Sequence, residues 1–151
     1  MKHFIGITIL TIAMCCMSSL TSCMQNNGYI GDLWGQWRLE EITTDKMVEE
    51  CDTVFFSFQS NVFQVRKVIY SSYDYTAFTG LYERSDEIIK FDFLNFNSND
   101  IVTAEDSAAM LQELQRLYIY EVSPTFDIKS LNRNNMILQH NNHEYYFKKL
   151  N

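Results

Sequence analysis

Eight short segments of the chain alternate apolar and polar residues, and this pattern constrains the fold more than any other feature. Val54, Phe56 and Phe58, for example, fall on one face of their segment, as expected for a half-buried β-strand. Short polar sequences such as residues 132–134 separate neighbouring segments and suit tight turns. The pattern predicts strands over residues 35–42, 53–59, 62–70, 75–83, 87–94, 125–131, 135–139 and 144–150.

One further segment has helical periodicity. Thr103 and Asp106 have the spacing of a capping box, and an apolar stripe follows them. The stripe consists of Met110, Leu111, Leu114, Leu117 and Tyr118. Pro124 disfavours helix in the residue before it, so we predict a helix over about residues 104–120. The whole pattern predicts a mainly β fold: a single antiparallel meander barrel of about eight strands, with one helix before the last three.

The first 23 residues have the parts of a bacterial export signal. Lys2 precedes an apolar run over residues 4–17, which is too short for a comfortable membrane span of about 20 residues. The sequence Leu20-Thr21-Ser22-Cys23 then resembles the lipobox of bacterial lipoproteins, in which the cysteine is lipidated and becomes the first mature residue. The alternative is an ordinary cleaved signal that leaves Cys23 free or paired.

These signals divide the chain into three parts. We predict a lipoprotein signal peptide over residues 1–22, a lipidated Cys23 with a flexible tether over 23–31, and a barrel domain over 32–151. Two other cysteines leave with the signal, so Cys51 has no partner if Cys23 is lipidated. Cys51 is then most simply a small buried hydrophobe.

The charge of the chain limits its partners. All 19 Asp and Glu residues lie after Cys23, whereas Lys2, one of the 12 Lys and Arg residues, lies before it. The chain from Cys23 onward therefore has a formal charge of −8. Because nucleic acid binding needs a basic patch and none is visible, we predict no nucleic acid partner.

Residues 33–150 resemble the lipocalin-like lipoproteins of Gram-negative bacteria, a family that is largely uncharacterised. The matching segments are Gly35-Gln36-Trp37-Arg38-Leu39, Gly80-Leu81-Tyr82-Glu83, Ile88-Ile89-Lys90-Phe91, Phe126-Asp127-Ile128-Lys129-Ser130-Leu131 and Tyr145-Tyr146-Phe147-Lys148-Lys149. The resemblance implies a small antiparallel barrel with a helix, and it brings neither a ligand nor catalytic residues. True lipocalins carry their helix after the barrel, whereas the predicted helix here precedes the last three strands.

Aromatic residues are the main candidates for a binding site. An eight-stranded barrel either fills with its own side chains or holds one small ligand. Five aromatic residues on inward faces are candidate ligand contacts, although a packed core is the plainer role for each: Trp37, Phe56, Phe58, Tyr82 and Phe91. Tyr70, Tyr73 and Tyr75 instead occupy a polar, exposed strand end, where tyrosine is favoured in recognition surfaces.

No sequence motif indicates catalysis. His140 and His143 flank a turn and could share a metal, but they are more simply solvated turn residues, so we predict no metal site and no cofactor. Glu40 and Glu41 should point to opposite faces of a strand, which excludes an acid–base pair. We find no nucleophile or phosphate-loop motif, and we predict that the protein is not an enzyme.

Two functions remain. The first is a membrane-anchored barrel that binds or carries a small apolar ligand, and the second is a filled barrel that docks a partner envelope protein. A continuous cavity would favour the first, and a packed interior with an exposed apolar patch would favour the second. Met24 and Gln25 lack the aspartate that retains enteric lipoproteins in the inner membrane, so we expect the periplasmic face of the outer membrane.

Overall fold

A computed structural model describes residues 31–94 and 104–150 of the 151-residue chain. Eight antiparallel strands form a closed barrel in which each strand pairs with its neighbours in sequence and β1 pairs with β8. The strands are β1 (Gly35–Thr44), β2 (Met47–Gln59), β3 (Val62–Ile69), β4 (Asp74–Arg84), β5 (Ile88–Asp92), β6 (Thr125–Leu131), β7 (Asn135–His140) and β8 (His143–Lys149). One described helix, α1 (Ala104–Gln115), precedes β6, so the predicted fold class is confirmed.

Most element bounds lie within two residues of the sequence prediction, but the start of β2 and the end of the helix do not. β2 begins at Met47, six residues early, because residues 47–50 pair with β1 although they are exposed and show no alternation. The helix ends at Gln115 instead of near residue 120. Tyr118 takes a positive φ of 60°, and the Ile119 amide donates to the Leu114 carbonyl, which closes the last turn well before the proline.

A β-bulge in β1 corrects one prediction about side-chain direction. The register shifts between Leu39 and Glu41, so Ile42 returns to the interior and the two glutamates do not alternate. Glu40 and Glu41 both border the same outer groove, and the expectation that they point to opposite faces is wrong. They still make no acid–base pair, because the Glu40 carboxylate accepts from Arg38 Nε at 2.7 Å.

Aromatic rings fill the barrel interior. Phe91 is 1 % exposed and lies within 6.4 Å, between ring centroids, of five other rings. These rings belong to Phe56, Phe58, Phe63, Phe93 and Phe126. Gly80 allows the close packing of this region, since a Cβ at that position would lie 2.2 Å from the Asp92 carbonyl oxygen and 2.7 Å from the Phe63 ring.

The two ends of the barrel differ. At the base, where the chain leads into β1, Trp37 Nε1 donates to the Leu33 carbonyl and the Lys149 ammonium lies 4.9 Å from the Trp37 ring centroid. Lys149 also donates to the Asp32 carbonyl, so this end is closed. The opposite end, which we call the mouth, carries the β1–β2, β3–β4 and β7–β8 hairpins. Within the described residues, no helix is long and apolar enough to cross a membrane.

Candidate functional site: the mouth of the barrel

The predicted aromatic pocket is occupied by its own side chains. Trp37, Phe56, Phe58 and Phe91 are each no more than 2 % exposed, and the Phe91 ring contacts Phe56 edge to face and Phe58 in a tilted arrangement. Tyr82 is half-buried against Phe58, and its hydroxyl donates to the Ser60 carbonyl at the base. A ligand could reach the four buried rings, those of Trp37, Phe56, Phe58 and Phe91, only by displacing them. The candidate functional site is therefore the mouth of the barrel.

The β3–β4 hairpin projects tyrosines into solvent. Tyr70, Tyr73 and Tyr75 are 58 %, 93 % and 61 % exposed, and the neighbouring Ile69 is 43 % exposed. Tyr73 has a positive φ of 54°, which turns the chain at the tip. We call residues 69–75 the tyrosine hairpin. Its three tyrosines are exposed at a strand end, as the sequence predicted.

The helix covers the mouth through its apolar face. Met110 and Leu114 are buried, and Leu111 and Leu117 are half-buried. Tyr145 is fully buried in β8 near the mouth, and its hydroxyl donates to the Leu117 carbonyl at 2.8 Å. Burial raises the pKa of Tyr145, so this hydroxyl stays protonated and keeps donating at any physiological pH.

Tyr118 fastens the chain just after α1. Its hydroxyl donates to the Glu49 carboxylate at 2.7 Å, and this hydrogen bond raises the pKa of Tyr118. Its ring stacks on His143 with centroids 4.5 Å apart and an angle of 17° between planes. The end of α1 is therefore attached to both the β1–β2 and the β7–β8 hairpins.

The two histidines at the mouth have different surroundings. His140 Nδ1 lies 2.9 Å from the Thr125 carbonyl, which can only accept, so Nδ1 carries a proton, and Nε2 lies 3.0 Å from the Asn141 amide nitrogen and 3.5 Å from a Glu121 carboxylate oxygen. Both nitrogens of His140 are thus engaged. His143 Nδ1 is buried with no hydrogen-bond partner. Among the described residues, no group of three His, Cys, Asp or Glu side chains is arranged to hold a metal ion.

The environment of His143 makes the stability of the mouth dependent on pH. Burial, with the nearby His140 second, lowers the pKa of His143 below its ordinary value of 6.5. The folded state thus favours neutral His143. Its contribution to the free energy of unfolding is fully present above pH 6.5 and is lost as the pH falls from 6.5 towards the lower pKa of the folded state.

We expect His143→Phe, which keeps a ring against Tyr118 but cannot titrate, to lose less stability than the wild type between pH 7 and pH 5. Urea unfolding at each pH measures the difference. Identical pH profiles for the two proteins would contradict this account of His143.

Cys51 lies in β2 near the mouth and is 8 % exposed. Its thiol contacts the Glu49 carbonyl at 3.7 Å, and burial raises the pKa of Cys51 to about 11. A thiol with so high a pKa is protonated at neutral pH and is a poor nucleophile. Its environment therefore favours a packing role.

A small cavity of about 20 Å³ lies beneath α1. Its apolar wall comes from β2, β3, β4 and the helix, and charged side chains stand at its rim. The lining residues are Val54, Val65, Lys67, Phe78, Glu113, Leu114, Arg116 and Leu117. Sequence reasoning gave no role to Glu113 or Arg116. Lys67 follows the inward-facing Phe63 and Val65 at a spacing of two residues, and a lysine at such a position is expected to have an acidic side chain nearby. A search for that acidic side chain could have indicated Glu113.

Comparisons with known proteins agree with this architecture. Residues 16–150 match the family model of the lipocalin-like domain. A lipocalin-like protein from Bacteroides uniformis is similar in structure with a TM-score of 0.62 and 24 % sequence identity, over 80 % of this chain and 100 % of that one. An uncharacterized protein from Bacteroides eggerthii has a TM-score of 0.63 and 23 % identity, over 78 % of this chain and 99 % of that one. No curated protein matches the chain. The barrel, its single described helix and the family match together show that this chain belongs to the lipocalin-like domain family.

Proposed function

We propose that this protein is a lipid-anchored barrel of the bacterial cell envelope that recognises a partner envelope protein through the tyrosine hairpin. The anchor in this proposal is Cys23, which lies outside the described residues and rests on the lipobox-like sequence. Eight residues separate Cys23 from Asp32, and the chain leads into β1 at the base. The tyrosine hairpin belongs to the other end and is free to meet a partner.

The observation that carries this proposal is the exposure of three tyrosines on a barrel whose interior is packed. Tyr73 alone is 93 % exposed, although an aromatic side chain gains from burial. Tyrosine with serine is the composition of many protein-recognition loops, because it combines a large rigid contact area with adaptable hydrogen bonding. The segment 70–75 contains three tyrosines, two serines and one aspartate. These features favour a protein surface as the partner.

The remaining features of the proposal follow from the same residues. The periplasmic face of the outer membrane is the expected location, and the partner would be a protein held in or near that membrane. We include no catalytic step and no cofactor, since the sequence contains no motif for either. The charge of −8 after Cys23 argues against nucleic acid.

Carriage of a small apolar ligand is the second candidate function. The lipocalin-like fold is compatible with it, and the cavity beneath α1 is the observation that favours it. A volume of about 20 Å³ is close to that of a single water, so a carrier would have to open at the mouth.

Site-specific crosslinking in cells tests the docking proposal. A photocrosslinking amino acid at position 73 is expected to give one saturable adduct of defined mass, whereas the same group at position 134, in the β6–β7 turn at the base, gives none. Tyr70→Ser and Tyr75→Ser should each reduce the adduct by about fivefold or more, as expected for contact residues of an interface.

Tyr120→Ser is the matched control, because Tyr120 is 59 % exposed but lies outside the tyrosine hairpin. It should leave the adduct unchanged. The docking proposal fails if positions 73 and 134 give the same adducts, or if Tyr120→Ser reduces crosslinking as much as the hairpin substitutions.

A further inference from the structure

β4 extends further towards the mouth than the strand beside it. It pairs with β3 over residues 74–81 but with β5 only over residues 81–84, where Leu81 lies opposite Asp92. β5 ends at Asp92, whose Oδ1 accepts from the Leu94 amide at 3.0 Å, and residues 93 and 94 form a bend. In the part of the chain that is described, residues 75–80 of β4 therefore have a neighbouring strand on one side alone.

The direction of the backbone groups on this side follows from the β-ladder. The Tyr82 amide donates to the carbonyl that precedes β3, and residues of an antiparallel strand bond alternately to one neighbour and to the other. The even-numbered residues from 76 to 82 therefore bond to β3. Tyr75, Ala77 and Thr79 direct their amides and carbonyls to the opposite side.

Most of these outward backbone groups have no partner among the described residues. The Tyr75 amide donates to Asp74 Oδ1 at 2.8 Å, which leaves the amides of Ala77 and Thr79 and the carbonyls of all three outward residues. We call these five groups the open edge of β4. Donors and acceptors at this spacing match another extended backbone, so the open edge is suited to an added β-strand.

The sequence of β4 does not protect the open edge. Exposed strand edges commonly carry charged residues or proline, which deter pairing with another chain. β2 also extends past its pairing with β3, which ends at Val54, and its extension contains the exposed Glu49, Glu50 and Asp52. Residues 75–80 of β4 contain neither a charged residue nor a proline. The contrast indicates that strand addition is deterred at β2 and permitted at β4.

Arg66 indicates the chemistry of the added strand. It lies on the outer face of β3, directly opposite Ala77, and its guanidinium carbon is 5.6 Å from the centroid of the Phe55 ring. Its Nε is buried without a hydrogen-bond partner, and no described acidic side chain forms an ion pair with it. A half-buried guanidinium in this state favours an acidic side chain supplied by another molecule.

Ala77 leaves room for such a contact. A strand added beside β4 would lie two strand spacings, about 10 Å, from β3. The side chain of Ala77 is a single methyl group, so a glutamate opposite it on the added strand could extend across to Arg66. The tyrosine hairpin adjoins the open edge at Tyr75, which is 61 % exposed. One segment of a partner could therefore contact both.

We propose that the open edge of β4 receives an extended segment of the partner protein as an added β-strand, with an acidic side chain opposite Ala77 that pairs with Arg66. This inference rests on the docking function proposed above and states what the partner presents beside the tyrosine hairpin. Backbone hydrogen bonds with Ala77 and Thr79 supply affinity, and the contact with Arg66 selects the sequence of the added strand.

Residue-resolved hydrogen exchange of the purified protein tests whether the open edge is available. The amides of Ala77 and Thr79 should exchange about tenfold faster or more than those of Thr76 and Phe78, which are bonded to β3. Equal protection of the four amides would show that the edge is already covered, and the proposal would be wrong.

Crosslinking in cells tests the added strand itself. A photocrosslinking amino acid at position 79 is expected to give the same adduct as the one at position 73. Ala77→Pro removes a donor of the open edge, and its ring obstructs an added strand, so it should reduce both adducts by about tenfold or more. Ala77→Ser keeps the amide and is the matched control, which should leave both adducts unchanged.

Ala77→Glu tests the contact with Arg66 and does not depend on how well the fold accepts a proline. Positions 66 and 77 are directly opposite, so the new carboxylate can pair with Arg66 within the sheet and repel an incoming acid. The adduct at position 79 should fall by about fivefold relative to Ala77→Gln, a neutral side chain of the same size. Equal adducts in these two variants would exclude the contact with Arg66.

The outcomes separate this inference from the proposed function. An adduct at position 73 that survives Ala77→Pro, with none at position 79, would support docking by the tyrosine hairpin and contradict strand addition. An adduct at position 79 alone that is lost in Ala77→Pro would support strand addition and contradict docking by the hairpin. Absence of both adducts would contradict both proposals. An adduct with twice the mass of this chain would identify a second copy as the occupant, which would also contradict the inference.

Discussion

Phe91→Ala is expected to lower the free energy of unfolding by about 3–5 kcal/mol, the range for a buried phenylalanine. Phe91 is 1 % exposed and contacts aromatic rings from β2, β3 and β6, so its truncation removes contacts on several sides at once. The surrounding rings belong to different strands and cannot all collapse into the space. Urea unfolding followed by tryptophan fluorescence measures the change, since Trp37 is fully buried.

Tyr73→Ala is the matched control for this experiment. It also removes an aromatic ring, but from a side chain that is 93 % exposed, so the free energy of unfolding should change by no more than about 0.5 kcal/mol. A Phe91→Ala protein as stable as the Tyr73→Ala protein would show that the interior is loosely packed. That result would favour a ligand cavity in the barrel itself.

The strands could be predicted from the sequence because burial on one face imposes a period of two. The prediction was incomplete where pairing did not need burial, as at Met47 to Glu50, which are exposed and pair with β1 through the backbone alone. The β-bulge at Glu40 had no local signal either, because both glutamates suit an outer face. The early end of α1 depends on a positive φ at Tyr118. Tyrosine rarely adopts this conformation, so the sequence gives no signal for it.

The candidate site was harder to predict than the fold. Alternation shows that Phe56, Phe58 and Phe91 face inward, but whether inward rings leave a cavity depends on how they fit together across the barrel. Gly80 contributes to that fit through a close approach to Asp92 that no pattern reveals. The tyrosine hairpin was found because its residues are consecutive and polar. The Lys67–Glu113 pair was not, because its members are 46 positions apart.

Cys23→Ala is expected to release the protein from the membrane almost completely. If Cys23 is lipidated, its acyl chains hold the protein in the bilayer, and each buried methylene group contributes about 0.8 kcal/mol. The expected result is a shift of the protein from the membrane pellet to the soluble envelope fraction, with loss of palmitate labelling. The barrel should keep its stability, because its base is closed by described residues that lie after Cys23, namely Asp32, Leu33, Trp37 and Lys149.

Cys51→Ala is the control that distinguishes the role of Cys51 from that of Cys23. Cys51 is buried in the barrel, so its replacement should cost some stability but leave membrane attachment and palmitate labelling unchanged. A Cys23→Ala protein that stays in the carbonate-washed membrane pellet would exclude the lipid anchor. A Cys23→Ala protein that unfolds would show that Cys23 is part of the fold. If instead release leaves the barrel folded, the tether and the barrel are separate structures, and binding at the mouth can be measured without the membrane.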